Sequence, residues 1–283
     1  MTSVARDQVI QDLVDKDLVD ALRKELTEAH EELFETRRQL HQQYEIAAQV
    51  HRSLLPSAVR HPRIDADLRF LPAEPLGSDY FQVRIPQDDP SACYVTICHV
   101  DGKGVVPALL ASRISSEAHH FIEEIFSPAD MVHVLNSFVY EHFHEAGIHI
   151  SFMAARIDLH RKIVTYSGAG HPGAMLLRPG RGLVQRLASQ HRPIGVSPEI
   201  LNDDSESTLE LSTGDRILFF SKGITQDPGK NGKPLRQSGL ARIATDALSC
   251  GLFEMLDEVL EQVRQYRDGP AKNDMTLVVT EIK

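Results

Sequence analysis

No glycine or proline occurs between residues 18 and 55, and this uniform texture stops at Pro56. Those two residue types cost most inside a helix, so the stretch reads as a single helix spanning roughly 50 Å at 1.5 Å per residue. Leu22, Leu26, Ala29, Leu33, Thr36, Leu40, Gln43, Ala47, Val50 and Leu54 recur along it at alternating spacings of 4 and 3. A stripe this narrow buries little apolar surface alone. It predicts either a parallel two-stranded coiled coil joining two copies of the chain or a helix folded back onto the rest of the chain. Thr36 and Gln43 weaken the centre of the seam.

Beyond Pro56 the pattern becomes mixed. Short alternating or apolar runs at 67–70, 81–85, 93–99, 150–159, 162–167, 174–178, 216–221 and 275–280 read as strands. A helix after Gly104 takes Pro107 in its opening turn and lines up Leu110, Ile114, Ala118, Phe121 and Ile125. A second begins at Ser127-Pro128, with Met131, Leu135, Phe138 and His142 on one face. Two more fit 238–248 and 252–267. Strands come in groups with helices grouped between them, which favours an α+β antiparallel sandwich over a doubly wound parallel sheet. The expected divisions are an N-terminal segment open to mobility (1–17), the helical dimerisation segment (18–56) and the α+β body (57–283).

Composition narrows the functional classes. The net charge is −10, from 30 basic and 40 acidic residues, and no concentrated basic surface is written into the chain. Nucleic acid is therefore excluded as a partner, since backbone binding requires one. No apolar run approaches the length of about 20 residues that a membrane span needs, and the opening residues lack a signal-peptide pattern. A cytoplasmic location is expected. Cys93, Cys98 and Cys250 are odd in number and lack a C-x-x-C spacing, so they read as reduced core thiols. Gly102-Lys103-Gly104 lacks the other elements of a phosphate-binding P-loop. His142, His144 and His149 bunch without ligand spacing and read as solvated loop histidines.

Five polar segments at strand ends remain: residues 72–81 (PAEPLGSDYF), 99–104 (HVDGKG), 169–172 (AGHP), 221–226 (SKGITQ) and 273–277 (NDMTL). Their order and spacing resemble the SpoIIE/RsbU branch of the PPM, or metal-dependent, serine/threonine phosphatases. The resemblance extends from residues 49–56 to residue 283 and takes in 193–195 (PIG) and 212–215 (STGD). It implies an αββα sandwich of two antiparallel sheets. It also implies two Mn²⁺ or Mg²⁺ ions that deprotonate a water to attack a phosphoserine or phosphothreonine. Two hard dications need several carboxylate oxygens to balance their charge.

Carried over position by position, that acidic set is degenerate. Asp79 of the Gly77-Ser78-Asp79 segment is kept. His99 stands where the family has its bridging aspartate, followed by Val100, whose carbonyl the family uses, and by Gly102 and Gly104. Lys222, next to Gly223, and Asn273, before Asp274, stand at two further aspartate positions, and Gln226 replaces a glutamate. Asp to Lys is the decisive change, because an ammonium then sits where a dication should. The sharper expectation is a pseudophosphatase that binds a phosphoprotein without efficient turnover and needs no metal. Its partner would be a STAS-domain anti-sigma-factor antagonist of a bacterial partner-switching pathway, or the kinase of that antagonist. The alternative is an active phosphatase with an altered or single-metal site built from Asp79, His99, Asp101 and Asp274. Gly77, Gly102, Gly104, Gly170, His171 and Gly223 are expected to shape the turns of the site.

Overall fold

The computed structural model describes residues 3–53, 55–180, 182–200 and 205–283. The chain forms two units, residues 1–49 and 50–283. The first belongs to helix α1 (Ser3–Ser53), which begins upstream of residue 18, so most of the segment set apart as 1–17 is helical too. Leu22, Leu26, Leu33 and Leu40 of the seam are all exposed, as are Phe34 and Ile46 beside it. Leu54, the last seam position, lies outside the described residues.

The body is built from β1 (Val59–His61), β2 (Ile64–Leu71), β3 (Asp79–Arg84), β4 (Ala92–Val100), α2 (Val105–Glu123), α3 (Pro128–Phe143), β5 (Ile150–Asp158), β6 (Ile163–Ala169), β7 (Ala174–Arg178) and β8 (Leu183–Leu187). It continues with β9 (Ser207–Glu210), β10 (Arg216–Phe220), α4 (Lys222–Gln226), α5 (Arg236–Asp246), α6 (Leu252–Tyr266) and β11 (Met275–Ile282). One sheet has the order β1-β2-β11-β10-β7-β8 and the other β3-β4-β5-β6-β9, with every ladder antiparallel. Sheet faces sheet, and a helical pair covers each outer face. This is the four-layer αββα arrangement expected.

Strand β4 explains the layering. All its residues are buried, because both its faces are covered. Alternate side chains point to opposite sides. Cys93, Val95 and Ile97 enter the core between the sheets, whereas Tyr94, Cys98 and Val100 pack under α2 and α3. Leu218, Phe220, Leu277 and Val279 face α5 and α6 on the far side. Cys93 and Cys98 therefore lie on opposite faces of one strand and remain free thiols. Burial pushes the Cys93 thiol up to about 12.

The helices follow their caps. Ser127 Oγ accepts the Asp130 N–H at 3.1 Å, with Pro128 opening the first turn of α3. Two expected faces shift. On α3 the buried stripe is Met131, Val132, Leu135, Asn136 and Val139, leaving His142 exposed. On α2 the buried stripe ends at Phe121 and Ile122, because Ile125 lies past the helix end with a φ of 60°. Among the described residues, no helix is long and apolar enough to cross a membrane.

Candidate functional site

The same alternation that builds the core places three polar residues between the sheets at one end of the sandwich. His99 shares the parity of Val95 and Ile97, Asp79 that of Phe81 and Val83, and Thr276 that of Val278. Asp79 and His99 are direct cross-strand partners in the β3–β4 ladder. Thr276 Oγ1 donates to Asp79 Oδ2 at 2.7 Å, and Asp79 Oδ1 lies 2.7 Å from His99 Nδ1. Both oxygens of Asp79 are thus engaged and its side chain is fully buried. Burial pushes its carboxyl above the usual range, against the pull of His99.

The line of contacts continues outward. His99 Nε2 lies 3.3 Å from Asp101 Oδ1, and the same oxygen accepts a hydrogen bond from Lys222 Nζ at the start of α4. Partial burial alone would raise the Asp101 carboxyl, but the hydrogen bond and charge of Lys222, with His99 and His149, hold it below the usual range. Thr276, Asp79, His99, Asp101 and Lys222 therefore form one chain of alternating partners, from the buried end of β11 to the surface.

Asp274 lies apart from that chain. Its Oδ1 accepts the Ala73 N–H at 2.8 Å, and its Oδ2 accepts the N–H groups of Ser78 (2.6 Å) and Asp79 (3.3 Å) and the Ser78 hydroxyl (3.2 Å). The carboxylate staples the 73–79 loop to the entry of β11. Of the four residues of the single-metal alternative, Asp79, His99 and Asp101 stand in line, and Asp274 is occupied by the loop. Asn273 Nδ2 donates to Asp227 Oδ1 at 2.7 Å, so its amide is held by a carboxylate that the motifs did not single out. Val100 is the last residue of β4, fully buried, and its N–H donates to the Ser78 carbonyl at 3.1 Å.

The turns bring these strands together. Gly102, Gly104 and Gly170 take φ values of 119°, 87° and 66°. Gly223 is needed for close approach, because a Cβ there would lie 2.1 Å from the Asp274 carbonyl oxygen. His171 is 4% exposed, and its Nδ1 accepts the Gly173 N–H at 3.2 Å. Burial drives its pKa down to about 3, so the ring is neutral. Two clefts share Asp101 and Lys222 in their walls. The smaller, about 240 Å³, reaches His99, Asn273 and Asp274. The larger, about 660 Å³, reaches His149, His171, Gln226 and Arg236. Arg236, Gln237 and Asp227 escaped the sequence reading because they lie outside the five segments. The exposed histidines His142 and His144 lie away from both linings.

Residues 89–283, well over half of the chain, match the family described as Stage II sporulation protein E (SpoIIE). The chain belongs to the SpoIIE family. Its place is in the SpoIIE/RsbU branch of the PPM phosphatases. The phosphoserine phosphatase RsbU of Bacillus subtilis is 24% identical over 251 residues, which cover 88% of this chain and 73% of RsbU. The SiaA-PP2C domain of Pseudomonas aeruginosa superposes with a TM-score of 0.74 at 16% identity, covering 88% of this chain and 99% of that domain. The RsbU and RsbW domains of Rv1364c from Mycobacterium tuberculosis give 0.70 at 19% identity, covering 81% of this chain. The chain spans 63% of that two-domain chain. These two structural likenesses establish the fold.

SpoIIE-type phosphatases generally use Mn²⁺ or Mg²⁺, and the donor set here does not fit such a pair. Both oxygens of Asp79 and both of Asp274 already accept hydrogen bonds, and Asp101 is paired with Lys222. Among the described residues, no group of three or more His, Cys, Asp or Glu side chains could hold a metal ion.

Proposed function

We propose that this SpoIIE-family chain is a phosphatase-like regulatory protein of a bacterial partner-switching pathway, one that binds a phosphoprotein without efficient turnover. The observation that carries this reading is Lys222, whose ammonium engages Asp101 where the family pattern calls for a carboxylate. At an effective dielectric of about 20, a dication roughly 4 Å from an ammonium is repelled by about 8 kcal/mol. One carboxylate at the same distance only cancels that repulsion and leaves no net attraction for the ion. The site therefore lacks the charge to gather two dications and the hydroxide that they would supply.

The partner we propose is a STAS-domain anti-sigma-factor antagonist or its kinase. Support comes from the likeness to RsbU and from the Rv1364c chain, which carries RsbU and RsbW domains together. We further propose that residues 18–55 join two copies of the chain, since the exposed leucines of α1 lie at heptad spacing on the described surface.

The test is calorimetric titration with Mn²⁺, together with phosphate release from a phosphoserine peptide at saturating Mn²⁺. The expected result is no stoichiometric Mn²⁺ binding and no metal-dependent release. Turnover in the ordinary enzymatic range, on the order of 1 to 10³ per second, overturns the proposal.

A further inference from the structure

We infer that the larger cleft is a metal-free binding site for a phosphomonoester dianion, held by Lys222, Arg236 and the Nε2–H of His171. The inference rests on the regulatory reading and deepens it, because it names the group by which a phosphorylated partner would be recognised.

Charge is the first argument. The chain carries a net charge of −10 with histidines neutral, yet among the described residues this cleft is walled by the cations Lys222 and Arg236 against a single carboxylate, Asp101. A cationic pocket in an acidic protein selects for an anion. Its volume of about 660 Å³ exceeds what a free phosphate fills and leaves room for a side chain and flanking backbone.

His171 supplies the second, independent observation. Its Nδ1 accepts a backbone N–H, so the proton of this neutral ring resides on Nε2. That Nε2 is buried and, among the described residues, has no hydrogen-bond partner. A buried donor left without an acceptor is uncommon in folded proteins and calls for an explanation. An anion oxygen entering the cleft that His171 lines would satisfy it.

Arg236 is the third component. It is exposed at the cleft wall and makes no hydrogen bond or ion pair among the described residues. Its backbone holds a φ of 60°, a conformation that non-glycine residues adopt at a cost. A planar guanidinium presents two parallel donors that match phosphate oxygens. Lys222 completes the set. Its ammonium is held by Asp101, which keeps His99 Nε2 at 3.3 Å as a neighbour if Lys222 turns to an incoming phosphate. Asp101 then acts as a competitor whose removal should favour the ligand.

The full-length protein is titrated in EDTA with a phosphoserine peptide, its unphosphorylated twin and inorganic phosphate. The expected result is saturable binding of the phosphopeptide, competition by inorganic phosphate and no response to the twin. Arg236→Gln should weaken binding about tenfold, through loss of a charge-assisted contact. Asp101→Asn should tighten it, a change of sign that misfolding cannot imitate. If inorganic phosphate saturates the site and the phosphopeptide does not, the cleft still takes the phosphate group but from the free ion. No saturable binding in EDTA, or affinities untouched by both substitutions, overturns the inference and leaves the regulatory reading standing. Mn²⁺-dependent hydrolysis by the unmodified protein would instead sink the regulatory reading, while the titration in EDTA would still report on the cleft.

Discussion

Replacing Asp274 with alanine isolates the role of the carboxylate that joins the 73–79 loop to β11. Its two shortest bonds go to the N–H groups of Ser78 (2.6 Å) and Ala73 (2.8 Å), and its side chain lies in a buried setting. Hydrogen bonds to charged groups contribute about 1.5–3 kcal/mol each, so the pair represents about 3–6 kcal/mol. Two effects reduce the figure. Ala73 is only half-buried and its N–H can recover a water, and removing Asp274 relieves its repulsion of Asp79. The expected loss is about 3–4 kcal/mol, a large share of the ~5–15 kcal/mol typical of a folded domain. Guanidinium unfolding followed by circular dichroism measures it as a shift in midpoint at unchanged slope. Amide exchange at Ser78 should accelerate in parallel. A loss below about 1 kcal/mol with Ser78 still protected would refute the staple and return Asp274 to the pool of free acids.

His171 makes stability pH-dependent. The folded ring resists protonation down to about pH 3, whereas the unfolded ring takes a proton near 6.5, so its contribution is complete above about 6.5 and drains as pH falls. His171→Gln should flatten the decline of the melting temperature between about pH 6 and 4, and an unchanged slope would count against a buried neutral ring. Replacing Leu33 and Leu40 with Asp should yield a monomer with an intact body, read by light scattering, because charges cannot be buried in a seam. Finding the unmodified protein already monomeric at tens of micromolar removes the basis for that expectation. The triple variant His99→Asp, Lys222→Asp and Asn273→Asp should gain Mn²⁺ binding by calorimetry. It should also become chelator-sensitive in melting, since a carboxylate at 273 would face Asp227, 2.7 Å from the present amide. A folded triple variant without Mn²⁺ binding would locate the defect elsewhere.

The long strands were legible because their chemistry is local. Cys93–His99 and Met275–Thr280 are apolar enough to declare two covered faces, and Ser127-Pro128 announces a helix start. The edge strands β1, β8 and β9 were not, since three to five residues carry too little alternation to stand out. The site divides in the same way. Its segments were visible, and the family pattern marked Lys222 and Asn273 as departures. Their partners were not visible. Asp101 meets Lys222, and Asn273 meets Asp227, only because ladders and loops bring distant residues together. The role of Asp274 was hidden for the same reason, since its acceptors serve backbone groups that carry no side-chain signature. Arg236 and His171 gained weight from a missing partner, and a sequence does not record missing partners.

Strand β11 is contributed late in the chain yet sits in the interior of its sheet, between β2 and β10. During synthesis, β2 and β10 must therefore wait with open hydrogen-bonding edges until residues 275–282 have left the ribosome. The 73–79 loop waits equally long for Asp274, which arrives only just before β11. Such a body cannot ripen progressively from its N-terminal side, because long-range pairing must precede the reward of packing. Nascent chains stalled before Met275 would carry unpaired edges that invite association. Timing of biosynthesis, and not only the finished architecture, is thus written into the choice of which strand comes last.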